Sequence, residues 1–177
     1  MSAARQNSKF YEKLLKKILK KNKFCADFKL SRIIFGLGSN LGERNFYLNQ
    51  AVLELTQQLF LTNSKTSQIF KNPAMLLPNS PQEWNCEFFN IAFSADINLQ
   101  KFSPEKILEI VKKIEKKLGR KDLERWAPRE IDIDILLIEG VKVDLGEKLK
   151  IPHRDLLNRD FFVKTVEEIE PLFTKMM

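Results

Sequence analysis

Residues 125–138 read Arg-Trp-Ala-Pro-Arg-Glu-Ile-Asp-Ile-Asp-Ile-Leu-Leu-Ile, and they decide the fold of this 177-residue chain. The second half alternates apolar and charged residues before it becomes continuously apolar, which predicts a strand that enters a core. Because successive side chains of a strand point to opposite faces, Asp132 and Asp134 share one face. Two neighbouring carboxylates repel each other and lose solvation when buried without a cation. The pattern therefore indicates a Mg²⁺ site completed by water and phosphate oxygens.

Basic and aromatic side chains precede the two aspartates. Arg125 and Arg129 flank Trp126 and Pro128. The planar guanidinium group suits phosphate oxygens, and the indole ring offers a stacking face for a planar molecule. Proline stiffens the approach to the strand. The whole run favours a phosphoryl-transfer centre, with a ladder of Arg–Asp salt bridges on a strand edge as the alternative.

The composition is that of one domain with a substantial core. The chain is 44% hydrophobic and contains fourteen phenylalanines. It has no run of about twenty apolar residues, so the sequence predicts no membrane-spanning helix. Cys25 and Cys86 are far apart and lack metal-ligand spacing, which indicates a reducing compartment and a cytoplasmic protein. A single histidine, His153, excludes a multi-histidine zinc site.

The net charge of +7 belongs to the N-terminus. Residues 1–30 hold nine basic and two acidic residues, whereas residues 31–177 hold 21 of each. We therefore expect an arm at 1–30, a neutral domain at 31–177 and no nucleic-acid partner for that domain. Residues 9–21 place apolar side chains at helical spacing between lysines, which predicts a basic amphipathic helix. This helix could dock on the domain, contact a membrane surface, bind a partner or serve as a targeting segment.

The remaining pattern predicts strand, helix, two strands, helix, strand. We expect a strand at 31–37, a glycine-marked turn at 38–44, a helix to about residue 60, strands near 62–70 and 87–98, and a helix capped by Ser103 and ended by Gly119. A hairpin is expected at Glu139-Gly140. The Pro- and Asn-rich residues 71–86 form a loop that either closes over a site or fills the core.

The glycines of the first turn allow a different function. Gly36, Gly38 and Gly42 are spaced nearly as in a dinucleotide-binding fingerprint. That fingerprint requires an acidic residue about twenty positions further on, at the end of a second strand. The predicted second strand ends instead in Lys71-Asn72-Pro73, which weakens the dinucleotide hypothesis.

Three motifs in order resemble the 6-hydroxymethyl-7,8-dihydropterin pyrophosphokinase family of folate biosynthesis. They are Gly38-Ser39-Asn40-Leu41-Gly42, the run at 125–138, and Ile151-Pro152-His153 followed by Asn158-Arg159-x-Phe161. The resemblance covers about residues 32–172. It implies an α+β fold with a ferredoxin-like βαββαβ core and added elements, and the expected fold also includes the hairpin and the N-terminal basic amphipathic helix predicted above. It also implies transfer of pyrophosphate from ATP to the pterin hydroxymethyl group, with release of AMP.

The resemblance further implies individual roles. Asp132 and Asp134 would hold two Mg²⁺ ions, and Arg120 and Arg129 would act with them as catalytic groups. The residues implied in ATP binding are Glu115, Trp126, Arg129, Ile135, Lys148, Leu149, Lys150, His153 and Arg159. Those implied in pterin binding are Asn72, Pro73, Phe88, Asn90, Trp126 and Phe161, and the amide of Asn90 matches the alternating donors and acceptors of a pterin edge. Alternatives are a solvated helix face for Glu115 and a backbone contact for Asn90.

Two questions stay open at this level. The loop at 119–124 looks one residue short of the family pattern, so a non-catalytic nucleotide- or pterin-binding module is the alternative function. Retention of both aspartates argues against that module, because binding alone does not need paired carboxylates. The sequence also leaves open a fusion or partnership with a neighbouring folate-pathway enzyme.

Overall fold

The computed structural model describes residues 30–74, 76, 78, 80–121 and 127–177. The predicted helix at 9–21 therefore lies outside the described residues, and so do Arg125 and Trp126. In the described part of the chain, no helix has the length and apolar character needed to cross a membrane.

Seven strands form two antiparallel sheets within these residues. They are β1 (Leu30–Ser39), β2 (Thr62–Thr66), β3 (Phe70–Asn72), β4 (Phe88–Asn98), β5 (Asp132–Ile138), β6 (Val143–Asp144) and β7 (Lys150–Ile151). The main sheet has the order β2-β4-β1-β5. Strand β3 also pairs with β4, at residues 88–90, whereas β2 pairs with residues 93–96 of β4. The long, mostly buried strands β1 and β4 lie at its centre. Strand β5 therefore forms one edge of this sheet.

Three α-helices cover both faces of the main sheet. They are α1 (Arg44–Leu59), α2 (Pro104–Lys117) and α3 (Asp160–Ile169). Helices α1 and α2 bury side chains such as Leu55 and Ile107 against one face, and α3 buries Phe162 and Val166 against the other. Ser103 caps α2 as predicted, since its side chain accepts a hydrogen bond from the backbone N–H of Lys106.

Three local predictions are wrong. Strand β1 continues through Ser39, so Gly36 and Gly38 are strand residues in an antiparallel sheet, and the dinucleotide-binding turn is excluded. The strand predicted at 62–70 is two short strands. The chain also does not fold back onto β5 after Glu139. The hairpin instead joins β6 to β7. In this arrangement Leu149 and Ile151 pack in the main core.

A buried arginine links the far end of the sheet to the end of α3. Arg32 is 8% exposed, and its guanidinium group donates to Asp96 Oδ1 at 3.0 Å, Ser94 Oγ at 2.8 Å and Glu170 Oε1 at 2.7 Å. A buried guanidinium group requires such partners, because isolated charge is costly to remove from water. Burial acts to raise the pKa of Glu170, but hydrogen bonds from Ser94 and Arg32 outweigh burial and hold the pKa below its ordinary value.

We predict that Arg32→Met lowers the free energy of unfolding by about 3 kcal/mol, because Asp96 and Glu170 lose their cation. Urea denaturation at pH 7 measures this loss. Since the pKa of Glu170 is lowered in the folded state, its stabilisation is complete at neutral pH and disappears as the pH falls below about 4. The difference between wild type and Arg32→Met should therefore shrink in acid.

Lys106→Met is the matched control. Lys106 pairs with Glu109 at 2.8 Å, but both side chains are more than half exposed. Its loss should cost less than about 0.5 kcal/mol, as is usual for surface pairs. Equal losses in the two variants would contradict the assigned role of Arg32.

Candidate active site

A cavity of about 630 Å³ opens on the α3 face of the sheet, where β1, β4 and β5 come together. Its volume is that of a typical small-molecule site. Most of the predicted site residues line it, namely Asn72, Phe88, Asn90, Arg120, Arg129, Asp132, Asp134, Ile135, Lys148, Leu149, Lys150, His153, Arg159 and Phe161. The fold thus brings together residues that lie up to 89 positions apart.

Two predicted residues do not line the cavity, and a third is not described. Trp126 lies outside the described residues. Pro73 is absent from the cavity wall, although its carbonyl oxygen accepts a hydrogen bond from the side chain of Asn72. Glu115 is 2% exposed and lies beneath Arg120, so the alternative of a solvated helix face is wrong. Its contact with a nucleotide stays a prediction.

Glycines of β1 make room for side chains that form the cavity wall beside the two carboxylates. In the register of β1 and β5, Gly38 lies beside Asp132 and Gly36 beside Asp134. A Cβ atom at Gly36 would lie 2.6 Å from a ring carbon of Phe162, and one at Gly38 would lie 2.8 Å from Asn90 Oδ1. Side chains at these positions would therefore collide with the cavity wall. The two glycines therefore allow the side chains of Phe162 and Asn90 to lie directly against β1.

Both oxygens of Asp132 are bound by arginines. Arg120 Nη1 donates to Oδ1 at 2.5 Å, and Arg129 Nη1 donates to Oδ2 at 3.0 Å. Burial acts to raise the pKa of Asp132, but the charges of the two arginines hold it below its ordinary value. Asn40 positions Arg129 through two hydrogen bonds. Its side-chain Oδ1 accepts the backbone N–H of Arg129 at 2.8 Å, and its backbone N–H donates to the carbonyl oxygen of Arg129.

Asp134 has a different environment from its neighbour. Among the described residues its nearest basic group is His153, whose Nε2 lies 4.0 Å from Asp134 Oδ1. Burial and the negative charge of Asp132 raise the pKa of Asp134 to about 7. The alternative of a salt-bridge ladder therefore accounts for Asp132 and leaves Asp134 unexplained.

His153 presents an N–H group to Asp134. Its Nδ1 accepts the backbone N–H of Asp155 at 3.2 Å, which leaves the proton of the neutral imidazole on Nε2. Burial, and then the charge of Arg159, lower the pKa of His153, which favours this neutral form. The backbone N–H of His153 donates to Leu136 O at 2.8 Å and so fixes the residue beside β5.

The two carboxylates could contribute ligands to a magnesium ion. Mg²⁺ typically takes one or two carboxylates and fills its remaining positions with water and phosphate oxygens. No cluster of three or more His, Cys, Asp or Glu residues poised for a metal occurs in the described ranges. Asp132 and Asp134 could therefore hold Mg²⁺ only together with ligands that enter from the cavity, and the unbalanced charge at Asp134 favours a cation there.

The opposite wall of the cavity combines an amide pair with aromatic rings. Asn90 is 6% exposed and donates from Nδ2 to Asn72 Oδ1 at 2.6 Å. Phe88 and Phe161 line the same cavity. Rings that offer stacking faces beside a fixed amide suit a planar heteroaromatic ligand.

Sequence reasoning missed several residues of the cavity wall. Lys112 lies one helical turn before Glu115 on α2, and its Nζ donates to Glu115 Oε2 at 2.8 Å. Asp155 accepts a hydrogen bond from Arg159 at 2.8 Å. Both pairs have the three- or four-residue spacing that places side chains together on a helix or turn, and that spacing was the available signal.

The raised pKa of Asp134 predicts a dependence of stability on pH. The folded, metal-free protein retains a proton that the unfolded chain has released between about pH 4 and pH 7. The free energy of unfolding should therefore fall as pH rises through this window. Urea denaturation in EDTA at pH 5 and pH 8 should show a smaller fall for Asp134→Asn than for wild type. Asp160→Asn, at a side chain that is 87% exposed, should retain the wild-type difference; equal falls in all three proteins would contradict this assignment.

Comparison with known proteins gives concordant results. Residues 34–171 match the family model for 7,8-dihydro-6-hydroxymethylpterin-pyrophosphokinase. The 2-amino-4-hydroxy-6-hydroxymethyldihydropteridine pyrophosphokinase of Aquifex aeolicus is 39% identical over 142 residues, which are 80% of this chain and 82% of that protein. The folate synthesis bifunctional protein of Chlamydia muridarum is 36% identical over 78% of this chain, but the match spans only 30% of that longer protein.

A solved structure supports the fold. The wild-type HPPK-DHPS of Plasmodium falciparum, solved with pterin and p-hydroxybenzoate, superposes with a TM-score of 0.55 at 15% identity and covers 82% of this chain and 40% of that one. At this identity the likeness concerns the fold alone. From the family match and the similarity to the Aquifex protein, we conclude that the chain belongs to the 7,8-dihydro-6-hydroxymethylpterin-pyrophosphokinase family.

Proposed function

We propose that the cavity is the active site of an ATP-dependent pyrophosphokinase. The chain transfers pyrophosphate from ATP to 6-hydroxymethyl-7,8-dihydropterin in folate biosynthesis, giving the pterin diphosphate and AMP. One observation carries the assignment to this cavity: paired carboxylates on β5 lie between a group of cationic side chains and an amide–aromatic wall. The alternative of a non-catalytic binding module is not favoured, because the chain retains this pair.

The cationic side of the cavity would bind the triphosphate. Asp132 and Asp134 would hold Mg²⁺, two ions in our proposal, which would neutralise charge on the phosphate oxygens. Arg120 and Arg129 would contact the transferred group, where guanidinium groups can bind two oxygens at once. His153 and Arg159 would hold the remaining phosphates. Transfer needs little covalent chemistry from the protein, so these groups act by positioning and by stabilising developing charge.

The two ends of the cavity would bind the two ring systems. Lys148, Leu149, Lys150 and Ile135 would surround the adenine, because they line the cavity next to the phosphate group. Asn90 and Asn72 would read the pterin edge, with Phe88 and Phe161 against its faces. The hydroxymethyl group would then point toward β5. We further propose that Glu115 binds ATP and that Pro73 binds the pterin. Trp126 would contact both ligands.

We also propose the finer assignments of fold and organisation. The order β2-β4-β1-β5, with helices between β1 and β2 and between β4 and β5, supports a ferredoxin-like core. Residues 31–177 would form the catalytic domain and residues 1–30 a basic arm. The free, half-buried thiol of Cys86 supports a cytoplasmic location. The bifunctional relative supports fusion or partnership with another folate-pathway enzyme.

AMP formation tests the proposed reaction. We expect the purified chain to release AMP from ATP only when both Mg²⁺ and 6-hydroxymethyl-7,8-dihydropterin are present. Asp132→Asn should lower turnover by about a hundredfold or more, the usual scale for loss of a group that stabilises transition-state charge. AMP is quantified by chromatography under saturating substrates.

Asp160→Asn provides the control, because its side chain is exposed and does not line the cavity. It should retain wild-type turnover, and circular dichroism should show that both variants are folded. Pterin binding without AMP in the wild-type protein would support the non-catalytic module. Full activity of Asp132→Asn would remove the paired carboxylates from the mechanism.

Pterin recognition by Asn90 gives a separate prediction. Asn90→Ala should weaken binding of 6-hydroxymethyl-7,8-dihydropterin by about ten- to a hundredfold, because hydrogen bonds to a buried ligand edge are lost. Fluorescence titration in the presence of a non-hydrolysable ATP analogue measures the affinity. Asn98→Ala, at the other end of β4, should leave it unchanged. Equal affinities for wild type and Asn90→Ala would show that the pterin lies elsewhere.

A further inference from the structure

Arg120 is shared between two carboxylates of different elements. Its Nη1 donates to Asp132 Oδ1 on β5 at 2.5 Å and also to Glu115 Oε1 on α2. The backbone N–H of Arg120 donates to the carbonyl oxygen of Glu115 at 3.0 Å, which fixes the residue at the end of α2. The guanidinium group thus occupies the carboxylate oxygen that a cation at β5 would need.

Glu115 is anchored by partners other than Arg120. Its Oε1 accepts the backbone N–H of Ile133 at 2.9 Å, and its Oε2 accepts Lys112 Nζ at 2.8 Å. The residue is only 2% exposed, so an unpaired carboxylate there would be costly. With these two donors, Glu115 keeps its position and can hold the guanidinium group of Arg120 when that group separates from Asp132.

Arg129 differs from Arg120 in this respect. It lies three residues from Asp132 on the same segment, and Asn40 holds its backbone through both a side-chain and a backbone hydrogen bond. Its guanidinium group binds the other oxygen, Oδ2. Of the two arginines, Arg120 is the one with a second carboxylate that can retain it after separation from Asp132.

We propose that Arg120 is the counter-ion of Asp132 in the ligand-free protein and that a divalent cation displaces it, with Glu115 as the positioning residue that retains Arg120 beside the cavity. This inference rests on the proposed function and adds an exchange of cations to it. A guanidinium group and a metal ion repel each other and would compete for Asp132 Oδ1. Displacement therefore leaves the guanidinium group free to contact phosphate oxygens in the same cavity.

Binding of Mn²⁺ without nucleotide tests the exchange, with free Mn²⁺ measured by electron paramagnetic resonance at pH 8. Arg120→Met should bind Mn²⁺ at least tenfold more tightly than wild type, because the competing cation is gone. Arg154→Met is the matched control: Arg154 also lines the cavity, but its ion-pair partner is Asp155. It should change the affinity less than threefold. No tightening in Arg120→Met, or equal tightening in both variants, would overturn the proposal.

The role of Glu115 is tested by a double-mutant cycle. Glu115→Gln should weaken Mn²⁺ binding at least threefold in the wild-type background, because Arg120 then depends on Asp132 alone. In the Arg120→Met background, Glu115→Gln should change the logarithm of the Mn²⁺ affinity by less than half of the change that it causes in the wild-type background. A merely structural or general electrostatic role would give equal effects in both backgrounds and would overturn the assignment. Thermal unfolding confirms that each variant is folded.

These measurements separate the exchange from the proposed reaction, because they use Mn²⁺ alone. Active wild-type protein whose Mn²⁺ affinity is unaffected by Arg120→Met would reject the exchange and leave the reaction intact. Tightening in Arg120→Met without AMP formation by wild type would reject the reaction and retain the exchange.

Discussion

The ion pairs at Asp132 hold together elements that are distant in sequence. Arg120 connects the end of α2 to β5, and Arg129 connects the segment before β5 to the same carboxylate. Asn40 extends this connection to the end of β1 through its hydrogen bonds to Arg129. Because charged hydrogen bonds are stronger than neutral ones and depend on direction, this cluster fixes where the cationic side of the cavity lies.

The two aspartates of β5 illustrate how environment separates chemically identical groups. Asp132 has two guanidinium partners and a lowered pKa, whereas Asp134 lies beside a neutral imidazole and has a raised pKa. Among the described residues, Asp134 thus has no guanidinium or ammonium group within 4.0 Å. A pair of carboxylates beside cationic side chains suits a ligand that brings both a metal ion and phosphate oxygens.

One face of the sheet carries both the site and a stabilising network. Helix α3 covers the middle of this face with Phe162 and Val166. The cavity lies toward one end of the strands, and the hydrogen bonds of Arg32 to Asp96 and Glu170 lie at the other. The network secures the chain just beyond α3, and α3 contributes Phe161 and Phe162 to the cavity wall.

Much of the site followed from local patterns. The alternation in residues 131–138 predicted β5 and placed both aspartates on one face, and the resemblance of three motifs indicated most of the cavity wall. Glu115 shows the limit of such reasoning: the sequence allowed a solvated helix face, but the residue is buried and accepts hydrogen bonds from Ile133 and Arg120. The hairpin was misplaced for a similar reason. Leu149 and Ile151 are buried in the main core, and β6 pairs with β7 rather than with β5.

The sequence by itself therefore determined which residues form β5, which carboxylates share a face and where α2 begins, because these depend on side-chain alternation and capping within a few residues. Only the tertiary structure decided that glycines of β1 make room for Phe162 and Asn90, that both arginines bind Asp132, and that Asp134 is left without such a partner. These features depend on strand register and on burial of charge between distant segments. Neither quantity has a local signature, since each is set by which surfaces the whole chain removes from water.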